Sequence, residues 1–368
     1  MTELVVGTKK GLFLLDGEAG QGSSGSTDDY EVTARAFAGQ PVDFAIRDPR
    51  NGRLFAAVTS PFYGPKLFFT DGDPAGEWQQ AEGVSLPEGG EQALERIWVI
   101  APGEAPGTLY MGGDPGVLFE SHDGGANWEI NAGLWNQPSR PQWQPGGGGL
   151  CLHSISTWPG DPERIAVAVS AAGMWLSDDG GHSWRRGNGG LSPRYLPELP
   201  AELAPDPDAP PALCVHHVER APSSPERMFM QFHGGVYRSD DGGESWSQIG
   251  AGLPSDFGFP LKVDPADPDS AYVIPLVADM DRVTPEGRVR IYETRDGGES
   301  WAPRGEGLPA EHAYLTVLRQ AFTSTGAGDQ LQLYFGATSG DVFASGDAGA
   351  TWSTARTRLP PVFSVTAV

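Results

Sequence analysis

Short apolar runs separated by glycine turns recur along the whole chain. Residues 228–239, MFMQFHGGVYRS, show one such unit, in which two apolar or aromatic runs flank a His-Gly-Gly turn. The same pattern returns at 109–120, 166–177 and 333–344. Alternating stretches around glycine turns are typical of β-hairpins. The pattern therefore predicts a succession of hairpins with little helix.

A further apolar run that ends in a proline turn precedes the hairpins. These runs occupy 42–49, 96–102, 153–159 and 216–222, with looser versions at 261–265 and 313–322. Each unit thus has three strands, which we call A, B and C, and we expect a weaker outer strand D to follow. Four-stranded units of about 50 residues are typical of propeller blades.

An eight-residue motif follows strand C in six units. Its pattern is Ser/Thr-x-Asp-x-Gly-x-Ser/Thr-Trp, as in SDDGGESW at 239–246, with a degenerate copy at 71–78. Its aspartate and tryptophan pairs are Asp73 and Trp78, Asp123 and Trp128, Asp179 and Trp184, Asp241 and Trp246, Asp296 and Trp301, and Asp347 and Trp352. We expect the aspartate and hydroxyl to bond turn N–H groups and the tryptophan to be buried between sheets. A motif that recurs in six units predicts a structural role, because one active site needs no six copies.

The motif resembles the Asp-box, or BNR repeat, of sialidases, xyloglucanases, sortilin-type receptors and photosystem II assembly factors. The resemblance implies a β-propeller, but these families differ in activity. The chain opens with B-like and C-like strands at 3–15 and closes with an A-like strand at 360–368. We therefore predict one all-β domain over 1–368, a seven-bladed propeller of four-stranded antiparallel blades. The N- and C-terminal strands are expected to share a blade.

Composition narrows the possible partners. The 368 residues carry a formal net charge of −23, which argues against nucleic acid and anionic membranes as partners. No stretch approaches the roughly 18 apolar residues of a membrane span. The opening segment MTELVVGTKK lacks the pattern of a signal peptide, so we expect a cytoplasmic monomer, with a mature secreted form as the alternative. Cys151 and Cys214 occupy matching places in LCLH and LCVH and are expected to be buried thiols.

The loops that differ most between the repeating units indicate a candidate site. In propellers of this connectivity, the starts of the A strands, the D–A loops and the B–C turns share the face that binds ligands. Long D–A loops at 135–149 and 185–211, and a B–C insertion at 278–288, are expected on that face. Binding sites often lie on such loops, carried by a rigid scaffold. Alignment on the proline turns places four polar residues at one equivalent position, namely Asp43, Arg96, His153 and His216.

We predict candidate catalytic carboxylates at Asp43, Glu95 and Asp114. The candidate ligand-binding residues are Arg96, His153, His216, His217, His233, Tyr63 and Lys10. Structural alternatives stay open for several of them. Arg96 and Asp43 could form an ion pair between blades, and His153 and His216 could be buried histidines that cap strand ends.

The resemblance implies a glycosyl hydrolase-like protein with a carbohydrate or small polar ligand in a polar pocket at the top of the central channel. A typical sialidase is not expected, because ERIWV at 95–99 retains only Arg-Ile of the sialidase Phe/Tyr-Arg-Ile-Pro segment. The separation of the carboxylates would distinguish inverting from retaining hydrolysis. The alternatives are a non-catalytic binding or assembly scaffold and a metal-assisted lyase.

Metal binding depends on ligand types and spacing. Three histidines and a carboxylate would suit zinc or manganese. The sequence has no His-x-His or Cys-x-x-Cys spacing among them. We therefore predict no metal ligands and no cofactor.

Overall fold

The computed structural model describes residues 1–19, 29–87, 89, 92–193 and 212–368. The strands form seven four-stranded antiparallel sheets. This is the architecture of a seven-bladed β-propeller, which confirms the predicted fold. The described residues group into two compact units, Met1–Glu82 with Ala251–Val368, and Gly83–Gly250. The single domain over 1–368 stays a prediction.

The first unit contains four blades. One blade combines both ends of the chain and consists of β1 (Thr2–Thr8), β2 (Gly11–Gly17), β3 (Tyr30–Ala36) and β28 (Val362–Ala367). The next consists of β4 (Val42–Arg47), β5 (Leu54–Ser60), β6 (Gly64–Thr70) and β7 (Gln79–Gln80). The third consists of β20 (Gly258–Val263), β21 (Ala271–Pro275), β22 (Ile291–Thr294) and β23 (Ala302–Arg304). The fourth consists of β24 (Phe322–Thr325), β25 (Gln332–Gly336), β26 (Val342–Ser345) and β27 (Ser353–Arg356).

The second unit contains three blades. The first consists of β8 (Arg96–Pro102), β9 (Leu109–Asp114), β10 (Val117–Ser121) and β11 (Glu129–Ile130). The second consists of β12 (Cys151–Trp158), β13 (Asp161–Ser170), β14 (Gly173–Ser177) and β15 (Arg185–Arg186). The third consists of β16 (Val215–Arg220), β17 (Met228–Phe232), β18 (Gly235–Ser239) and β19 (Ser247–Gln248).

Helical structure among the described residues is short. It comprises α1 (Ala132–Trp135) and single 3-10 turns at Arg140–Gln142, Pro285–Gly287 and Gly328–Gln330. None of these helices is long and apolar enough to cross a lipid bilayer.

Strand β28 lies in the A position beside β1, as the two chain ends predict. Val365 of β28 pairs with Val6 of β1, and Thr366 pairs with Val5. Val6 and Val365 are both buried. The blade that contains β1 is therefore complete only when the last strand of the chain is present.

Central strands are buried at successive positions, whereas the outer strands are not. All five residues of β17 and of β21 are buried, which explains their mainly apolar sequences. Both residues of β7 and of β19 are exposed. The outer strands β7 and β19 are consequently short and polar, which is why their sequence signal is weak, whereas the outer strand β3 extends over seven residues.

The Asp-box is a hydrogen-bonded turn. Ser239 Oγ donates to Asp241 Oδ1 at 2.8 Å and accepts the N–H of Gly243 at 2.9 Å. Asp241 also accepts both the N–H and the hydroxyl of Ser245. Equivalent bonds form around Asp123, Asp179, Asp296 and Asp347. The structural role expected for the boxes agrees with these contacts.

One predicted strand is displaced along the chain. The sequence predicts an A-like strand at 313–322, but β24 begins at Phe322. The residues before it form a loop against the B–C insertion, where Ala313 N–H donates to Gly287 O at 2.9 Å and Thr284 N–H donates to Leu315 O at 3.1 Å. Val317 is fully buried there. The first part of the apolar run is thus buried as a loop against the insertion, whereas Gln320 and Ala321 accept backbone hydrogen bonds from Val365 of β28 and Gly336 of β25.

Candidate functional site

The position predicted to be equivalent in four blades lies at a β-bulge in three of them. The strand register skips one residue at Asp43 in β4, at His153 in β12 and at His216 in β16. In β8 the skipped residue is Trp98, while Arg96 lies two positions earlier. The alignment of Arg96 with the other three is therefore wrong, because the bulge of β8 lies closer to its proline turn. A bulge adds an unpaired residue and redirects its side chain.

Asp43 and His153 make close contacts within the fold. Asp43 Oδ2 accepts a hydrogen bond from Thr59 Oγ1 at 2.5 Å. His153 is fully buried, with Nε2 2.8 Å from Val215 O and Nδ1 3.0 Å from Ser154 Oγ. Those contacts favour the structural alternative for His153, a buried histidine that joins β12 to β16.

Glu95, Arg96 and Asp114 come together in the blade of β8 to β11. Arg96 pairs with Asp114 across β8 and β9, and Glu95 N–H donates to Asp114 O at 2.9 Å. The side chains of Glu95 and Arg96 are exposed, and Asp114 is half-buried. The Arg96 guanidinium lies over the ring of Trp98, with Cζ 4.9 Å from the ring centroid. The half-buried Asp114 thus lies in the same part of the blade as the exposed Glu95 and Arg96.

Burial raises the pKa of the Asp114 carboxyl. Hydrogen bonds from Cys151 Sγ and from the backbone of Leu150 offset part of this effect, the Glu95 charge adds to it, and the Arg96 charge opposes it. The backbone of the loop that precedes β12 lies in close contact with this carboxylate, since a Cβ added at Gly149 would lie 2.0 Å from Asp114 Oδ2. Asp114 therefore holds a proton more readily than an ordinary aspartate does.

Residues 131–150 form the loop between β11 and β12. Arg140 of this loop forms hydrogen bonds with the turn that follows Asp114. Its Nη1 donates to Gly116 O at 2.6 Å and its Nη2 donates to Pro115 O at 2.8 Å. Its Cζ lies 3.9 Å from the ring centroid of Trp135. Burial lowers the pKa of Arg140 to about 10, so the guanidinium stays charged at neutral pH. Within the described part of the chain, no carboxylate forms an ion pair with it.

Two open clefts flank this loop. The larger, of about 510 Å³, is lined by Trp135, Trp143 and Arg140 and by the amides of Gln92, Asn136 and Gln137. The smaller, of about 440 Å³, shares Gln137 and is lined further by Trp175, Trp184, Arg185 and Arg186. Neither lining contains a carboxylate, although the chain carries a formal net charge of −23. Arg140 thus brings a positive charge to the larger cleft, whereas Arg185 of the smaller cleft is paired with Asp178 and Glu244.

A group of potential metal ligands lies where β16 begins. One ligand atom each of Cys214, His216 and His233 lie within 4.8 Å of one another. The rings of His216 and His233 meet edge to face, with centroids 5.2 Å apart. His216 is buried, and Cys214 and His233 are half-buried. The buried thiol predicted at position 151 is confirmed, whereas Cys214 is partly accessible.

Residues 237–248 match the family described as BNR/Asp-box repeat. The chain carries a BNR/Asp-box repeat. A search of curated proteins finds no match to its sequence.

Solved structures resemble this Asp-box propeller at low sequence identity. An ancestral GH74 enzyme is 18% identical with a TM-score of 0.54, and the match covers 82% of this chain and 36% of that chain. YCF48 bound to D1 peptide is 14% identical with a TM-score of 0.50, over 91% and 84% of the two chains. Apo AztD from Citrobacter koseri is 11% identical with a TM-score of 0.55, over 100% and 97%. This chain thus spans about a third of the GH74 enzyme, and at such identities the likeness shows the fold alone.

The remaining predicted site residues of the Asp-box propeller are more scattered. His217 Nε2 lies 3.5 Å from Glu219 Oε1, outside the Cys214 group. Lys10 and Tyr63 belong to the other unit, where both are exposed in B–C turns. Of the long loop at 185–211, residues 194–211 lie outside the described residues.

Sequence reasoning identified the loop at 135–149 but not its principal residue. Arg140 stands between Trp135 and Trp143 in sequence, and its guanidinium lies 5.3 Å from the Trp143 ring centroid in space. An arginine between tryptophans in an irregular loop was the available signal. The Cys-x-His spacing of Cys214 and His216 is likewise a sequence signal for this group of potential ligands.

Proposed function

We propose that this Asp-box propeller is glycosyl hydrolase-like and binds a carbohydrate or another small polar ligand beside the 131–150 loop. The sequence predicts a pocket at the top of the central channel, but we place the ligand in the cleft that contains Arg140. The observation that carries the proposal is the charge of Arg140, which no carboxylate among the described residues neutralises. Such a cation favours a ligand that brings negative charge.

The lining of the 510 Å³ cleft suits an acidic saccharide. Ligand pockets commonly measure about 300–1,000 Å³ and combine apolar surface with a few polar groups. Here the half-buried Trp135 provides apolar surface for sugar C–H groups, and Gln92, Asn136 and Gln137 provide donors and acceptors for hydroxyls. A uronic-acid carboxylate or sulfate would then reach the Arg140 guanidinium.

Asp114 and Glu95 support the hydrolase-like part of the proposal. Glycoside hydrolysis uses a protonated carboxyl as general acid and an ionised carboxylate as base or nucleophile. The raised pKa of Asp114 favours the first role, and the exposed Glu95 beside it is suited to the second. Asp43, in the other unit, stays a candidate without an assigned step.

Calorimetry with two oligosaccharides of equal length, one neutral and one rich in uronic acid, tests the binding proposal. We expect the acidic oligosaccharide to bind more tightly, and Arg140→Gln to weaken it by about 10–100-fold, since a charged hydrogen bond contributes roughly 1.5–3 kcal/mol. Arg35→Gln is the matched control, because Arg35 also lies over an aromatic ring, that of Phe13, and donates to a backbone oxygen. Equal losses in both variants, or no preference for the acidic oligosaccharide, would contradict the proposal.

A reducing-sugar assay tests turnover separately. Asp114→Asn should stop the release of reducing ends while binding measured by calorimetry persists. Binding without turnover in the wild type would leave the chain a carbohydrate-binding propeller and would refute the hydrolase assignment.

A further inference from the structure

The start of the blade of β16 to β19 contains a compact group of one thiol and two imidazoles. Cys214 precedes β16, and His233 follows β17. His233 N–H donates to Cys214 O at 3.0 Å, which fixes the two residues opposite each other. Residues directly opposite in an antiparallel pair present their side chains on the same face.

The β-bulge brings the third side chain to this group. Val215 pairs with Phe232 and His217 pairs with Gln231, so His216 is the extra residue of β16. A bulge redirects the side chain of its extra residue, and here the His216 ring meets the His233 ring. The group therefore depends on a defined backbone irregularity and not on surface side chains alone.

We propose that Cys214, His216 and His233 form a binding site for a divalent transition-metal ion, with Zn²⁺ as the best match. Zinc takes cysteine sulfur at about 2.3 Å and histidine nitrogen at about 2.0–2.1 Å, which separates tetrahedral ligand atoms by roughly 3.5 Å. The three atoms already lie within 4.8 Å of one another, so side-chain rotation is sufficient to bring them to that spacing. Binding would release the Cys214 thiol proton to solvent, because the thiolate is the ligand.

Three protein ligands leave one coordination position of a tetrahedral ion open. Cys214 and His233 are half-buried, so solvent can reach that position. The tip of the 131–150 loop also approaches it, since a Cβ added at Gly146 would lie 3.5 Å from Cys214 Sγ. Sites of this kind keep water or a ligand in the fourth position.

The neighbouring blade offers a matched control. Cys151 and His153 repeat the Cys-x-His spacing at the start of β12. Ser170 pairs with Cys151 across the strands, and both nitrogens of the fully buried His153 lie in hydrogen-bond range of Ser154 Oγ and Val215 O. Among the described residues, Cys151 and His153 thus belong to no group of three potential metal ligands, although the Asp114 carboxylate lies 3.7 Å from Cys151 Sγ.

A second group of potential ligands provides an internal comparison. Glu120, His122 and Glu129 also have ligand atoms within 4.8 Å, but His122 and Glu129 are exposed. Two carboxylates with one histidine are a harder and weaker donor set for zinc than a thiolate with two imidazoles. We therefore expect zinc to select the Cys214 group first.

Equilibrium dialysis of the full chain against Zn²⁺, followed by elemental analysis, tests the proposal. The wild type should retain one tightly bound zinc per chain, and Co²⁺ in its place should give a thiolate-to-metal charge-transfer band. Cys214→Ser and His233→Gln should each weaken zinc binding by more than about 100-fold, since loss of an outer-shell partner alone costs about 10–100-fold. Cys151→Ser and His122→Ala should bind zinc as the wild type does.

Alkylation of the wild type provides a second measurement that does not depend on a variant folding. Zinc should protect the half-buried Cys214 from iodoacetamide, as read by peptide mass mapping, whereas the buried Cys151 should stay unmodified with or without zinc. The proposal is refuted by wild-type protein that retains no zinc, by unprotected Cys214, or by equal losses in Cys151→Ser and Cys214→Ser. A loss confined to His122→Ala would move the metal to the Glu120 group.

Discussion

Trp246 donates its indole N–H to the backbone oxygen of Gly187 at 2.9 Å, which ties the Asp-box of one blade to the outer strand of the preceding blade. Gly187 directly follows β15, and Trp246 closes the box after β18. The ring is only 4% exposed and packs with Met174, Leu176 and Met228. The box therefore stabilises the contact between two successive blades as well as its own turn.

Trp246→Ala should lower the free energy of unfolding by about 3–5 kcal/mol, the range for truncation of a large buried aromatic residue. Trp246→Phe keeps most of the ring contact but loses the N–H, so its loss should be nearer to about 1 kcal/mol. Urea denaturation followed by circular dichroism measures both. Saccharide affinity and zinc binding should be unchanged in the protein that remains folded. Loss of either binding activity without loss of stability would contradict the structural role.

The Asp-box aspartates should make the protein sensitive to acid. Hydrogen bonds from Ser183 hold the pKa of Asp179 at about 2, and hydrogen bonds from Ser300 do the same for Asp296, against an ordinary value of 3.8. Because these folded-state pKa values are depressed, the stabilisation is present above pH 3.8 and is lost as the pH falls toward about 2. Denaturant midpoints measured between pH 5 and pH 2 should fall across that window.

Asp296→Asn is the control for the acid effect. It removes one titrating group but can still accept the bond from Ser300, so the midpoint should depend less on pH than in the wild type. An unchanged pH profile in this variant would mean that other groups cause the acid sensitivity.

Deletion of residues 362–368 should remove β28 and open the blade that joins the chain ends. Without β28, the edge of β1 and the buried side chain of Val6 lose their cover. An exposed strand edge with apolar neighbours favours aggregation. Size-exclusion chromatography and a melting curve should therefore show aggregates or a much lower melting temperature. A soluble truncated protein with the wild-type melting curve would show that β28 contributes nothing to closure.

Strand positions could be predicted from the sequence where they depend on the hydrophobic pattern of neighbouring residues. The run that ends in a proline turn at 96–102 coincides with β8, and the apolar runs around the glycine turn of 228–239 coincide with the buried β17–β18 hairpin. The strand prediction was wrong at the start of 313–322, where Ala313 and Leu315 bond the backbone of the B–C insertion instead of a neighbouring strand. Trp98, rather than Arg96, occupies the β8 bulge, and a bulge leaves no mark in residue spacing.

The candidate site was less predictable for the same reason. The half-burial of Asp114 depends on Gly149 and Leu150, which belong to the next D–A loop. The role of Arg140 depends on the carbonyl groups of Pro115 and Gly116, two dozen residues earlier in the chain. Contacts of this kind come from loop folding, on which hydrophobic periodicity carries no information.

Asp114→Asn should raise the free energy of unfolding at pH 7 while it removes the proposed proton donor. Burial raises the folded-state pKa of Asp114 above its unfolded value of about 3.8, so between these two values the folded state binds more protons than the unfolded state. Stability from this group therefore falls as the pH rises through that window, and the penalty stays constant above it. Asparagine avoids the penalty because it carries no charge, and its carbonyl can still accept the bonds from Cys151 and Leu150.

Guanidinium denaturation at pH 7 and pH 3.5 measures the effect, and the advantage of the variant should disappear at the lower pH. A variant that is less stable than the wild type at pH 7 would mean that the ionised carboxylate supports the fold, and Asp114 would then be a poor candidate for the general acid.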